Sequence, residues 1–443
     1  MHIHILQVRS RNSGRANKDT NGGFGTVNDF GRSIPVWILK TLKNLTMNFP
    51  EMQPAYIYSI LKNQGHTLTY SENALDPHAD IYLLQSSIIS YTDEISWAEK
   101  IKKELPGKKV GFFGGMSTAN PGLYLGHADF VIKGEIENCL IASQVGDFSG
   151  LVDAGFVRDL DCLPFPDWSY LNKWPRYSRR LGRKHGRAIP VLASRGCPMS
   201  CRYYCTYPLV QGVKFRTRTP ENIIAEIKYL IANFAMDSVL FRDPIFTLDM
   251  ERIDKLCDLL IQENLPFTWV CETHPRFLDR SLVEKMARAG CTAIKIGVES
   301  GNKDVLSKSL RATAEFTHQA EIIRICEENN IDILAFYILG YFSDTEETID
   351  QTIEYAISLN TLGAQFTIAT PYPGTSWYKE LQQNNDLYML DPDLTRYNQY
   401  ALVYRHPNLP IKQMNSLKEK AYRSYYYRWE YIDKHIIGAL HHR

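Results

Sequence analysis

Short apolar runs alternate with longer amphipathic ones along most of this chain. In its first third, strands are expected at residues 2–8, 66–70, 81–87, 109–113 and 130–132. Helices are expected over 53–62, stopped by Gly65, and over 93–105. Strands alternating with helices predict a doubly wound α/β unit with a parallel sheet. Such sheets take ligands beyond the carboxyl ends of their strands. Gly114 and Gly115 fall at one of these ends, where the missing Cβ atoms let another backbone or a flat ligand approach. Residues 9–30 hold Gly, Asn, Ser and Arg without periodicity and read as a lid or binding loop.

From residue 188 a strand–helix pattern repeats. Strands are expected at 188–194, 238–241, 267–271, 293–297, 332–339 and 364–369. The helices between them fall at 219–235, 250–263, 279–289, 303–309, 315–329 and 346–359. Repeated βα units curl into a full or partial barrel, with chemistry at the C-terminal strand ends. Between the two patterns, Leu163-Pro-Phe-Pro-Asp-Trp168 excludes helix interior. The expected organisation is a Rossmann-like domain over 1–145, a linker over 146–187, a partial (β/α)6 barrel over 188–380 and a helical C-terminal region over 381–443. Within that last region, residues 411–443 read as a Tyr-rich amphipathic helix.

Composition adds exclusions. At 44% hydrophobic, 22% charged and net +1, the chain resembles an ordinary soluble protein, with no field directed at nucleic acid or an acidic membrane. No run reaches the roughly 18 apolar residues of a membrane span, and the first residues lack a signal-peptide core. A cytoplasmic location is expected. One basic run, Arg176 to Arg187, reads as a solvated linker or as a contact for a phosphate or carboxylate.

The nine cysteines are too few for a disulfide scaffold. Cys139, Cys162, Cys257, Cys271, Cys291 and Cys326 are scattered in apolar contexts and read as core. Cys197, Cys201 and Cys205 are clustered, with three residues between neighbours, on the loop after the first barrel strand. Three thiolates can hold three irons of a [4Fe–4S] cluster. Four cysteines are the usual set, so the fourth iron would be open. Structural zinc usually takes four ligands, often in two cysteine pairs. No second pair is near, and His185 is the one candidate for a fourth ligand.

This loop and the strand-end segments Phe241–Asp249, Cys271–Arg276, Ile296–Asn302 and Leu339–Glu346 together resemble the radical S-adenosylmethionine (SAM) enzymes. The resemblance implies that SAM chelates the open iron and is cleaved to a 5'-deoxyadenosyl radical. It implies SAM contacts at Arg242 and Asp243 for the amino group, Glu299 for the ribose, and Gly340 and Tyr204 for the adenine. The family's usual cysteine spacing is one residue shorter before the last cysteine; Tyr204 keeps the aromatic that precedes it. Residues 110–121 and 128–137 are similar to the cobalamin-binding domain fused to many of these enzymes, and 422–428 to that subgroup's C-terminal segment. The Asp-x-His-x-x-Gly corrinoid signature is absent, and neither His78 nor His127 has that context. Cobalamin is thus a possible cofactor, with Gly114 and Gly115 at its site, or the domain keeps the fold without the ligand.

The cysteine spacing resembles that of the radical diol-dehydratase of apramycin biosynthesis. The expected function is therefore hydrogen abstraction from a small polar metabolite, leaning to dehydration of a sugar or aminoglycoside-like diol. Glu272, His274, Asp243 and Tyr372 are the candidate bases. Asp243, Glu272, Asp344 and Glu346 could pair with substrate ammonium groups. A cobalamin-dependent C-methyltransferase is the alternative. An Fe–S or corrinoid carrier is the alternative of another class, which the open iron and large barrel disfavour. The electron donor would be a flavodoxin, a ferredoxin or a dedicated reductase.

Overall fold

The structure is a computed structural model and describes residues 1–10, 17–46, 49–171, 177–178, 185–311 and 314–438. Strands β1 (His2–Gln7), β2 (Thr67–Glu72), β3 (Ile81–Ser86), β4 (Lys109–Gly114), β5 (Phe130–Gly134) and β6 (Gly150–Gly155) form one sheet in the order β2-β1-β3-β4-β5-β6. Every pairing in it is parallel. Helices α1 (Ile34–Thr46), α2 (Met52–Asn63) and α3 (Tyr91–Glu104) belong to this domain. Strand β3 is buried at all six positions, the apolar run expected of a parallel strand covered on both faces.

The second sheet contains β7 (Ala188–Val191), β8 (Ser238–Phe241), β9 (Thr268–Thr273), β10 (Cys291–Glu299), β11 (Asp332–Leu339) and β12 (Gly363–Ile368). Its order follows the chain, again all parallel, so it is an open barrel with β7 and β12 as edges. Two expectations are corrected. The segment expected as a linker supplies β6, which pairs with β5 and extends the first sheet to Gly155. Asp153 interrupts its apolar residues and three of the six positions are exposed, so no long apolar run marked it. The tail is helical over Ile411–Tyr426, then breaks before Trp429–Ile432. The basic run from Arg176 lies largely outside the described residues, as does the His185 side chain.

The tail helix closes the β12 edge with tyrosines. The Tyr422 hydroxyl accepts from the Phe366 N–H at 3.1 Å and donates to the Phe366 carbonyl at 3.0 Å. Tyr426 does the same for Ala364, at 2.9 and 2.8 Å. Tyr431 donates to the Leu362 carbonyl at 2.8 Å. Four helical residues advance about 6 Å and two strand residues about 6.6 Å, so the two periods nearly match. Removing one hydroxyl strands two buried backbone groups. Tyr426→Phe should therefore cost about 1–3 kcal/mol. The measurement is the urea midpoint, and an unchanged midpoint would show that these groups find other partners.

The barrel's open side is covered by residues from the first domain. Phe30 stacks on Tyr422 with ring centroids 4.4 Å apart, and the Tyr427 hydroxyl donates to the Pro35 carbonyl at 2.8 Å. Helix α1 and the tail helix thus close one end of the barrel interior.

Candidate active site

The cysteine loop starts where β7 ends. A short strand, Ser194–Arg195, pairs antiparallel with Arg216–Thr217. Gly196 has φ +86°, and a Cβ there would run into the Lys214 carbonyl, so this position needs glycine. Arg195 is buried and reaches back into the first domain, 2.9 Å from Glu137 and 3.5 Å from Glu135. Arg216 meets the other Glu135 oxygen at 2.8 Å. Two buried guanidiniums therefore fasten the loop to the first domain.

The extra residue between Cys201 and Cys205 is taken up in a helical turn. The Cys205 N–H donates to the Cys201 carbonyl at 2.9 Å, an i to i+4 bond. Residues four apart on such a turn share a face. The Cys205 thiol and the Arg311 guanidinium, 3.4 Å from Sγ, hold the Cys201 thiol down at about 6 despite its burial. Burial pushes the Cys197 thiol up to about 11. Among the described residues no three His, Cys, Asp or Glu side chains gather closely enough for a single metal ion. A four-iron cluster has a separate iron for each of three thiolates, so this donor set suits a cluster better than zinc.

All three cysteines line a cavity of about 680 Å³ that runs down the barrel interior. Near them, Glu299 ends β10 at φ +72°, after a register shift in the strand. One of its oxygens meets Arg311 at 2.8 Å; the other has no hydrogen-bond partner among the described residues. Burial raises the Glu299 carboxyl, against the pull of Arg311. A buried, unpartnered carboxylate oxygen beside the cysteines fits a hydroxyl donor such as a ribose. Deeper in, Lys295 lies opposite Glu272 in register and 3.0 Å from its Oε1, the oxygen that Arg242 also contacts. From α1, Lys43 donates to the Gln365 side-chain oxygen at 2.6 Å. Burial, then Lys295, brings the Lys43 ammonium down to about 7.

The expected site residues are placed unevenly. Cys197, Cys201, Cys205, Tyr204, Arg242, Glu272, His274, Glu299 and Tyr372 all line this cavity. Asp243 does not: it is buried, accepting from the Ser194 hydroxyl at 2.5 Å and the Ala193 N–H at 3.1 Å, so it braces the strand end that leads to the cysteines. Gly340 is also off the cavity wall, and a Cβ there would meet Met414 of the tail helix. Burial would raise the Glu272 carboxyl, but Arg242 and Lys295 outweigh it and hold it below the usual range. His274 Nδ1 accepts the Arg276 N–H at 3.2 Å, so that nitrogen is not a base. Burial raises the Tyr372 phenol, which keeps its proton and suits a donor role.

Of the four carboxylates expected to meet an ammonium, only Glu272 lines the cavity. Glu272 is shared by two cations. Asp243 is engaged as above, and Asp344 accepts from the Tyr341 N–H and the Thr348 hydroxyl. Glu346 pairs with Gln413 on the surface. Lys43, Lys295 and Arg311, which sequence reasoning missed, are on the wall instead. Lys295 carried a signal, being a lysine between two isoleucines in the middle of a largely buried strand.

Gly114 and Gly115 do not open onto a ligand. A Cβ on Gly115 would run into the Gly23 carbonyl, so the approaching group is the chain's own loop. That loop packs over the ends of β3 and β4, where Lys18 meets the Gln85 carbonyl and Gly23 meets Gly115. The two glycines expected at a cobalamin site are thus covered by the chain itself, and no step is derived through cobalamin.

Residues 191–356 match the family model described as the radical SAM superfamily. An uncharacterized methyltransferase of Pyrococcus horikoshii is 26% identical over 284 residues, 63% of this chain and 59% of that protein. The chain spans 56% and 47% of two further curated relatives. Among solved structures, the methyltransferase TsrM from Kitasatospora setae, with cobalamin and a [4Fe–4S] cluster bound, is similar at TM-score 0.60 and 14% identity, over 87% of this chain and 78% of that one. The cobalamin-dependent enzyme OxsB is similar at TM-score 0.64 and 12% identity, over 95% of this chain and 66% of that one. The barrel and its cysteine loop are a radical SAM domain. Around that domain the chain shares its fold, N-terminal α/β domain included, with the cobalamin-dependent enzymes TsrM and OxsB. Its radical SAM domain implies a [4Fe–4S] cluster and SAM as cofactors. No helix among the described residues is long and apolar enough to cross a membrane.

Proposed function

We propose that this chain abstracts a hydrogen atom from a small polar molecule held in the barrel cavity, and that methyl transfer is the outcome. The observation carrying the first part is three thiols and an unpartnered Glu299 oxygen lining one cavity. When bound, the cluster and SAM supply the radical that takes the hydrogen. In this reading Cys197, Cys201 and Cys205 hold the cluster. Glu299 receives the SAM ribose, and Tyr204 lies by the adenine. Glu272, Lys295 and Arg242 orient the substrate, and α1 with the tail helix excludes water. An external one-electron donor, a flavodoxin, ferredoxin or dedicated reductase, completes the system. Methyl transfer is supported by similarity to proteins named as methyltransferases. Dehydration is the second reading, favoured by the spacing of the cysteines and by the filled crevice. Anaerobic turnover with methyl-labelled SAM tests both. Label in the product supports methyl transfer, a product lighter by one water supports dehydration, and no 5'-deoxyadenosine sinks the whole reading.

The cavity charge points to the substrate's polarity. Lys43, Arg242, Lys295 and Arg311 line it against only Glu272 and Glu299 among the described residues. The remaining residues include no Asp or Glu. An acidic group on the substrate balances this surplus better than an ammonium. The protonated Lys43 amine binds such a group, and it loses its proton as pH rises through about 7. KM should therefore climb with pH through that region. Lys43→Met should raise KM at low pH to the parent's high-pH level and remove the climb; a retained climb would assign it elsewhere.

A further inference from the structure

The crevice beyond the carboxyl ends of β1, β3 and β4 is where a doubly wound sheet takes its ligand. Here the chain leaves β1, returns over those ends as residues 17–28, and packs into them. Lys18 is buried, with its ammonium 2.7 Å from the Gln85 carbonyl and 2.8 Å from Glu94 on α3. The Glu94 carboxylate also accepts from the Ser87 and Ser90 hydroxyls, both at 2.8 Å, and from Tyr124 at 3.1 Å. Asp19 accepts from the Gln85 amide at 3.0 Å. Phe24 is fully buried in the same core as Leu6, Met116 and Val210, and its carbonyl receives the Ile88 N–H at 2.9 Å. Gly23 lies against Gly115, backbone to backbone.

The loop's other side faces the barrel. Asn17, Thr20, Asn21, Thr26 and Asn28 line the cavity, and the Thr206 hydroxyl, next to Cys205, donates to the Asn21 carbonyl at 2.9 Å. One segment thus fills the ligand crevice of the first domain and walls the cavity of the second. Opening the crevice would separate a buried ion pair, and an unpaired buried charge is costly.

We infer that the first domain holds no corrin: its own residues 17–28 occupy the ligand crevice, and the domain serves the reaction as a wall of the substrate cavity. This goes beyond the proposed hydrogen abstraction, which does not depend on it, and it bears on the outcome: without a corrin, the methyl reading needs a second SAM as the direct methyl donor.

The test uses the full chain, expressed with hydroxocobalamin supplied, reconstituted with iron and sulfide, and gel-filtered without oxygen. The protein is expected to retain iron but no cobalt and no corrin absorption. Added hydroxocobalamin should leave Tm unchanged, because a ligand that binds the native state raises it. One cobalt per chain, or a rise in Tm, overturns the inference. Gly115→Ala gives a second reading. Its new methyl should displace Gly23, lowering Tm and speeding hydrogen exchange in residues 17–28. Unchanged Tm and exchange would show that the loop is not seated there, and would overturn the inference too. Assay of 5'-deoxyadenosine in the same preparations keeps the questions apart. Cobalt with radical formation refutes only this inference; no cobalt and no radical refutes only the proposed function.

Discussion

Cys201→Ser should purify as a folded chain that holds little iron and makes no 5'-deoxyadenosine. Each thiolate is assigned one iron, and no fourth cysteine stands by to substitute. Cys201 is also the thiol that Cys205 and Arg311 favour as thiolate, and the thiolate is the metal ligand. Losing it removes the donor most available at neutral pH. Cys197→Ser and Cys205→Ser should behave alike. Iron and sulfide per chain, the cluster's visible absorption and the deoxyadenosine assay are the checks. Normal iron in any of the three would move the cluster off this loop.

Arg195→Ala should be the most destabilising single change in the interface between the domains. Its guanidinium neutralises Glu137, which is 1% exposed and has one oxygen already without a partner. Removing one side of a buried pair typically costs about 3–5 kcal/mol. Urea midpoints of both proteins measure this. Arg195 also precedes Gly196 and Cys197, so iron loading should fall with it. A variant equal to the parent in midpoint and iron would show that Arg216 alone secures the loop.

The barrel was readable because its strands are apolar runs punctuated by long amphipathic helices; 332–339 and 346–359 were placed to the residue. Strand β6 was not: it is a half-exposed edge strand in which Asp153 and two glycines interrupt the apolar residues. The cysteines and Glu299 were legible because their chemistry lies in local motifs at strand ends. Asp243 had the same kind of position, but its carboxylate turned to backbone and Ser194, a choice that tertiary packing makes. Lys43 was out of reach for another reason. It sits in the first domain, and only the docking of α1 over the barrel brings it to the cavity.

The tyrosines of the tail helix also fix a coordinate along β12. The strand is aligned by β11 on one side and by hydroxyls at alternate residues on the other. Slippage by one residue would turn each inward side chain outward. The two alignments must therefore agree, and the side chains they hold in place are Gln365, which meets Lys43, and Thr367. A helix more than forty residues further along the chain thus acts as a ruler for the depth at which Gln365 and Lys43 meet in the cavity.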